Sequence, residues 1–201
     1  MPAEHQTSLR LGVLASGSGS NFEAVVAACR RGDLRAEVVS LVVNNPDCGA
    51  TVRAGRLGVP CTVINHRHFV SREALDEALI AHFTPLAVDL LVMAGWMRIV
   101  SPLLCRSFRD RMVNIHPALL PAFRGTRAIE RALAAGVTIT GCTAHLVEEV
   151  VDGGRILCQA AVVVQPDDTP ASLAPRIHAV EHRILPSAIA LAGQLLTRAE
   201  A

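Results

Sequence analysis

An amide, an imidazole and a carboxylate occur in the second half of the chain in a pattern that could move an acyl group. Asn114 and His116 stand two residues apart, and Asp152 follows 36 residues after the histidine. Asparagine can donate a hydrogen bond to a developing oxyanion, histidine can move a proton near neutral pH, and aspartate can orient the histidine and raise its pKa. The three residue types together indicate acyl-type transfer, which needs neither a metal nor a covalent nucleophile.

A glycine-rich loop occupies residues 16–21, with the sequence Ser-Gly-Ser-Gly-Ser-Asn. Glycines let backbone N–H groups approach an anion, and the start of a helix adds a favourable dipole. We expect Ser20 to cap a helix that begins at Asn21. The loop lacks the Lys-Ser/Thr pair of a Walker loop and the third glycine of the dinucleotide fingerprint. It therefore predicts either a phosphate site or a tight turn without a ligand.

Strand and helix patterns alternate along the first half of the chain, which predicts a parallel, doubly wound sheet. In the second half, two β-rich segments lie close together around Asp152-Gly153-Gly154, which favours an antiparallel pair. The predicted fold class is α/β, with one open sheet that is mostly parallel and Rossmann-like at first and antiparallel later. We expect one domain over residues 1–201, with residues 1–8 as a loose leader. The predicted strands are 9–15, 37–43, 61–64, 89–94, 112–115, 140–147 and 156–164, and the continuous apolar run 89–94 is typical of a central parallel strand. The predicted helices are 21–31, 50–57, 71–83 with a cap at Ser71, and 170–196, the last interrupted at Pro175 or Pro186.

The predicted strand 112–115 explains how two of the candidate catalytic residues could act together. Side chains two residues apart on an extended strand point to the same side. Asn114 and His116 should therefore face one cleft at the carboxyl edge of the sheet, where open α/β folds bind ligands. Asp152 lies on a later loop and could reach the same cleft.

Composition limits the classes of function. Apolar residues make up 51% of the chain, charged residues make up 18%, and the net charge of +1 gives no electrostatic case for binding nucleic acid. The six cysteines form no CxxC pair, so we expect reduced structural thiols and no metal. We see no signal peptide and no apolar stretch long enough to span a bilayer, so we expect a cytoplasmic protein.

Four segments together resemble the folate-dependent phosphoribosylglycinamide formyltransferase family of purine biosynthesis. They are residues 17–21 (Gly-Ser-Gly-Ser-Asn), 94–99 (Ala-Gly-Trp-Met-Arg-Ile), 114–121 (Asn-Ile-His-Pro-Ala-Leu-Leu-Pro) and 152–154 (Asp-Gly-Gly). The His-Pro-x-Leu-Leu-Pro part is specific only to the wider formyltransferase superfamily. The glycine loop and the short length select the glycinamide ribonucleotide branch, and the resemblance extends from residue 9 to residue 196.

The resemblance implies that the formyl group of 10-formyltetrahydrofolate passes to the amino group of glycinamide ribonucleotide. Asn114, His116 and Asp152 would be catalytic, with a protonated His116 beside the oxyanion. The proton would pass from the amine to the leaving folate nitrogen through either His116 or an ordered water. The ribonucleotide would be held by Gly19, Ser20, Asn21, His178, Ala179, Val180 and Glu181. The folate would be held by Arg72, Met97, Arg98, Ile99, Val100, Asn114, Glu148, Glu149, Val150, Val151 and Asp152.

Some positions depart from the family pattern, and some readings stay open. Arg124 stands where many relatives have proline, Arg127 where histidine is frequent, and His178 where lysine is often found. Trp96 replaces a common phenylalanine as pocket wall or core, and His145 either supports the site or packs. Formyl transfer to another acceptor, hydrolysis of the formyl folate, and a non-catalytic nucleotide-binding module are the alternatives. Residues 101–108 and the last helix are candidate contact surfaces for a homodimer.

Overall fold

The computed structural model describes residues 8–199, and these residues build one seven-stranded sheet with helices on both faces. Residues 1–7 of the predicted leader lie outside the described residues. The strands are β1 (Leu9–Ala15), β2 (Ala36–Val43), β3 (Cys61–Val63), β4 (Leu90–Met93), β5 (Met112–His116), β6 (Ile139–Leu146) and β7 (Ile156–Val163). The helices are α1 (Ser20–Arg31), α2 (Gly49–Leu57), α3 (Arg72–Phe83), α4 (Pro102–Ser107), α5 (Ala128–Ala134) and α6 (Pro170–Ala199).

The strands lie in the order β3-β2-β1-β4-β5-β6-β7. The first five strands of this order run parallel to their neighbours, whereas β6 is antiparallel to β5 and β7 is antiparallel to β6. The winding reverses between β1 and β4, so the loops that leave their carboxyl ends diverge and open a crevice. This arrangement confirms the predicted fold class.

The central strands are largely apolar because both of their faces are buried, and β4 is apolar at every position. Alternate residues of a strand point to opposite faces, so Leu11 and Val13 of β1 join the cluster under α1, α2 and α6. Leu14 joins the second cluster, where the side chains of α3 and α4 pack around Phe83. A strand covered on both sides needs apolar residues at every position, which explains the continuous apolar run predicted for β4.

The predicted interruption of the last helix is wrong. Helix α6 runs unbroken through Pro175 and Pro186. A proline inside a helix costs about 3 kcal/mol because it removes one hydrogen bond and crowds the preceding turn. The apolar face of α6 is buried at Leu173, Ile177 and Leu185, and this tertiary packing outweighs the local penalty.

The caps of two helices give opposite outcomes for the sequence predictions. Ser71 caps α3 as expected, since its Oγ accepts a hydrogen bond from the Ala74 N–H at 3.1 Å. Ser20 does not cap α1. The helix begins at Ser20 and its cap is Gly19, whose φ of 77° is the left-handed region that favours glycine. A Cβ on Gly19 would lie 2.7 Å from the Cα of Ala50, so close packing against α2 fixes this start.

Two helices were not predicted. They are α4 and α5, with six and seven residues, and such short segments show too few turns for an apolar period to stand out. The six cysteines are free thiols, as expected. Over residues 8–199, no helix combines the length and the apolar character that crossing a bilayer requires.

Candidate active site

A cavity of about 490 Å³ opens beyond the carboxyl ends of β4 and β5. Its floor is formed by strand residues, its walls are the loops that follow β4 and β6, and the loop that follows β5 closes one side. Strands β4, β5 and β6 each contribute lining residues, among them Asn114 and His116 of β5 and His145 of β6. The lining residues are Met93, Gly95, Trp96, Met97, Arg98, Ile99, Val100, Asn114, Ile115, His116, Pro117, Gly125, Thr126, Arg127, Ala128, His145, Val147, Glu148, Glu149, Val150, Val151 and Asp152.

The three predicted catalytic side chains meet in this cavity. Asn114 and His116 both extend from β5, as the strand period predicted, and Asp152 reaches them from the loop after β6. Oδ2 of Asp152 lies 3.3 Å from Nδ1 of His116, and its Oδ1 lies 3.4 Å from Nδ2 of Asn114. One carboxylate therefore contacts both the imidazole and the amide.

The pKa of His116 depends on burial and on the charged and polar groups around the ring. Burial lowers the pKa of this imidazole, while the Asp152 carboxylate and the Phe123 carbonyl raise it and His145 and Arg131 lower it. The contribution of Asp152 has the predicted sign, but burial is larger and the net shift of the His116 pKa is downward. At this position the cost of burying a charged imidazolium is larger than the stabilisation that the adjacent carboxylate provides. The free chain therefore favours neutral imidazole.

Asp152 is held in its ionised form. Burial raises the pKa of its carboxyl, but hydrogen bonds with His145 and with the Gly125 N–H, and the proximity of His116, outweigh burial and hold the pKa below its usual range. The Gly125 N–H donates to Oδ2 at 2.7 Å. A charged acceptor is thus fixed beside the imidazole of His116, where it stabilises the protonated form of the ring.

The loop between β5 and α5 supplies contacts that the sequence reasoning missed. The Nε2 of His116 lies 3.0 Å from the carbonyl oxygen of Phe123, and Gly125 binds Asp152 as described. Phe123, Arg127 and Asp152 all have positive φ. Strained backbone of this kind clusters at functional sites. The available signal was Phe123-Arg124-Gly125, a turn-like segment that departs from the family pattern shortly after His116.

His145 supports Asn114. It pairs with Asn114 in the register of β5 and β6, and its ring is buried. Its Nδ1 lies 2.7 Å from the Leu146 carbonyl oxygen, and its Nε2 lies 3.2 Å from Nδ2 of Asn114 and 3.4 Å from Oδ1 of Asp152. This arrangement favours the supporting role over simple packing.

Two loops carry the residues expected to bind folate. Met97, Arg98, Ile99 and Val100 form one wall and Glu148, Glu149, Val150 and Val151 form the other. Met97 is 76% exposed and Val150 is 60% exposed, so the rim presents apolar surface that a flat ring system could cover. Trp96 is buried in the second cluster and contacts the cavity, so it serves as both wall and core. Arg72 lies at the exposed start of α3, outside the cavity lining.

The residues expected to bind a phosphate and ribose lie at the end of β1 and on α6. Nδ2 of Asn21 donates to Oε2 of Glu181 at 2.8 Å, and both side chains are buried. Burial raises the pKa of Glu181, opposed by the Asn21 hydrogen bond and by nearby His178. His178 and Ala179 are exposed, whereas Val180 packs into the first apolar cluster. The side chain of Val180 is therefore part of the core, and only its backbone could contact a ligand.

Ser16 joins the glycine loop to the folate-side wall. Its N–H donates to the Gly95 carbonyl at 3.0 Å, and its Oγ accepts from the Met97 N–H at 2.9 Å. The two loops belong to β1 and β4, which flank the point where the winding reverses. Two hydrogen bonds of Ser16 therefore join the glycine loop to the wall of the apolar cavity. Within residues 8–199, no cluster of His, Cys, Asp and Glu is suited to a metal.

This fold and site define a class of protein. Residues 9–189 match the family described as Formyl transferase, and the chain belongs to that family. The phosphoribosylglycinamide formyltransferase of Haemophilus influenzae is 36% identical over 90% of this chain and 85% of its own length. Glycinamide ribonucleotide transformylase 1 from Symbiobacterium toebii has the same fold, with a TM-score of 0.92 and 41% identity over 94% of this chain and 90% of that one.

Larger proteins also contain a matching segment. The trifunctional purine biosynthetic protein adenosine-3 of Drosophila melanogaster is 43% identical over 92% of this chain, and its human counterpart is 40% identical over 90%. The chain spans only 14% of the first and 18% of the second. The family thus occurs both as a separate chain and as part of a longer one.

Proposed function

We propose that this chain transfers the formyl group of 10-formyltetrahydrofolate to the amino group of glycinamide ribonucleotide, a step of purine biosynthesis. The observation that carries the proposal is the meeting of Asn114, His116 and Asp152 in a cavity whose wall is hydrogen-bonded to the glycine loop through Ser16. The similarity to phosphoribosylglycinamide formyltransferases over most of the chain supports this choice of acceptor.

The geometry supports a division of labour between the two loops. The walls at 97–100 and 148–151 would hold the pteridine of the formyl donor. Backbone N–H groups of Gly19, Ser20 and Asn21, at the start of α1, would receive the phosphate, since this position combines free donors with the positive end of a helix dipole. Glu181 orients Asn21 and lies beside the same loop. The acceptor amine would then meet the formyl carbon at the end of β5.

The catalytic residues act on charge that appears during the attack. When the amine nitrogen bonds to the formyl carbon, negative charge develops on the formyl oxygen, and the Asn114 amide donates to it. His116 takes up the proton that the amine loses and returns it to the departing folate nitrogen. Both ring nitrogens of His116 face an oxygen, so the imidazolium satisfies both contacts while the neutral ring satisfies one. Asp152 therefore stabilises the charged state more than the resting state.

An acceptor-dependence assay tests the proposal directly. Absorbance follows loss of 10-formyltetrahydrofolate with and without glycinamide ribonucleotide, and chromatography identifies the formylated product. We expect consumption only with the ribonucleotide. Equal consumption without it would establish hydrolysis instead, and no consumption in either case would favour the nucleotide-binding module. Substitution of methionyl-tRNA or an amino sugar for the ribonucleotide checks the alternative acceptors.

Glu181→Ala should weaken use of the ribonucleotide and spare the chemistry. Loss of a hydrogen bond to a charged partner leaves Asn21 free to turn away from the glycine loop, and we expect KM for glycinamide ribonucleotide to rise about tenfold with kcat nearly unchanged. Initial rates at saturating formyl folate measure it. Glu181→Gln is the matched control, because glutamine keeps an acceptor oxygen for Asn21. A rise in KM for the folate instead would contradict this role.

Other expectations from the sequence stay predictions. They are the cytoplasmic location, the homodimer, the independence from metals, the lack of nucleic-acid binding, the extent of the domain over residues 1–201, and the contact of Arg72 with the folate.

A further inference from the structure

The folate-side wall of the cavity is a loop without helix or strand. It runs from Gly95 to Ser101, between β4 and α4. Side-chain acceptors fix it near both ends: the Met97 N–H donates to Ser16 Oγ at 2.9 Å, and the Ser101 N–H donates to Asp76 Oδ2 at 2.6 Å. The position of the wall therefore depends on two side chains from other elements. Ser16 belongs to the glycine loop already described, whereas Asp76 lies on α3, outside the cavity lining.

Asp76 is an unusual residue for its surroundings. It is 2% exposed, and its neighbours on the same helix, Leu75 and Leu79, belong to the second apolar cluster. Burial raises the pKa of its carboxyl, opposed by the hydrogen bonds from Ser101 and by Arg72, while Glu73 adds to the rise. A buried carboxylate is costly, and α3 already has its cap in Ser71. Packing alone would therefore favour an apolar residue at this position.

We propose that Asp76 is a positioning residue for the formyl-folate side of the reaction. Its carboxylate holds the N–H of Ser101 and so anchors the end of the wall that carries Ile99 and Val100 against the cavity. The hydrogen bond is short, at 2.6 Å, and both of the residues that form it are buried, so water does not compete for it. The inference rests on the proposed function only in naming folate as the ligand of this wall.

Asp76→Ala tests the proposal through a split between the two substrates. We expect KM for 10-formyltetrahydrofolate to rise about tenfold, because the anchoring bond is lost, with KM for glycinamide ribonucleotide and kcat nearly unchanged. Asp76→Asn keeps an acceptor oxygen and should restore most of the affinity. Asp89→Ala is the matched control, since Asp89 Oδ2 accepts from the Arg10 N–H at 2.7 Å, just before β4 and at the end of that strand opposite the cavity. A parallel rise in both KM values, or the same change in Asp89→Ala, would overturn the proposal.

Trypsin provides a measurement that does not depend on activity. Arg98 is exposed in the wall, so the rate of native-state cleavage after Arg98 reports how often the loop opens. We expect this rate to rise about tenfold in Asp76→Ala and to stay at the wild-type value in Asp89→Ala. An unchanged rate in Asp76→Ala would refute the anchoring role.

A second variant covers the case in which Asp76→Ala does not fold. Ser101→Pro removes the donor and leaves Asp76 in place, and the φ of −86° at Ser101 is close to the range of proline. It should also speed cleavage after Arg98, and a wild-type rate in this variant would overturn the proposal. If the wild type transferred no formyl group, the proposed function would fail while the cleavage rates still tested the anchor.

Discussion

His116→Ala should lower kcat by about 10²–10⁴-fold, since it removes the group that moves the proton between the amine and the folate nitrogen. The two ring nitrogens of His116 contact Asp152 and the Phe123 carbonyl, and neither nitrogen contacts the glycine loop or the wall at 97–100. The KM values for both substrates should therefore change little. Single-turnover rates with both substrates saturating measure the chemical step without interference from product release.

A control separates loss of catalysis from loss of a packed histidine. His82 on α3 is a half-buried histidine with Nε2 at 2.9 Å from Ser40 Oγ, and it lies away from the cavity lining. His82→Ala should retain nearly full kcat at a comparable change in melting temperature. Near-normal turnover of His116→Ala would remove His116 from the mechanism.

Asp152→Asn should lower kcat by about 10²–10³-fold while the fold is kept, because asparagine has the same shape but no charge to stabilise the imidazolium. Its Oδ1 can still accept from the Gly125 N–H, so the loop after β6 stays in place. Steady-state rates with and without the ribonucleotide measure the effect. Robust turnover in the variant would keep the family assignment and refute the electrostatic role of Asp152.

The pH profile gives Asp152→Asn a second, independent readout. His116 works as a base in its neutral form, so kcat/KM should fall as the pH drops through the pKa of His116, which burial places below its usual value. Asp152 raises that pKa, so its removal should move the acid limb to still lower pH. Asp168→Asn is the control, since Asp168 also accepts a backbone N–H, from Gln165 at 2.7 Å, outside the cavity lining. A wild-type rate that falls above neutral pH, through deprotonation of His116, would favour imidazolium as the working form instead.

The sequence predicted the placement of Asn114 and His116 well because a strand period is local. Asn114 and His116 lie two residues apart, and the pleat of any extended strand places them on one side. The apolar strand β4 was predicted because burial on both faces leaves a continuous apolar run. The antiparallel pair β6 and β7 was predicted because the two β-rich segments lie close together in the sequence. Cap chemistry was predicted for Ser71 and wrong for Ser20, where contact between Gly19 and α2 set the start of the helix.

Partners that come from distant segments left no such pattern. The contacts of Phe123 and Gly125 with the catalytic groups depend on the path of one irregular loop, and the anchor between Asp76 and Ser101 joins residues of different elements. Polar atoms in loops form hydrogen bonds with whichever groups the fold brings close to them, and residue types alone do not specify which groups these are.

The sequence by itself determined the residue types that can do the chemistry, their placement at the carboxyl edge of an α/β sheet, and the family. Only the tertiary structure decided the electrostatic state of His116, because the balance between burial and a carboxylate depends on the depth of the ring and on distances of about 3 Å. It also decided that α6 continues through its two prolines, since packing over a whole helix face outweighs a local penalty that the sequence shows plainly.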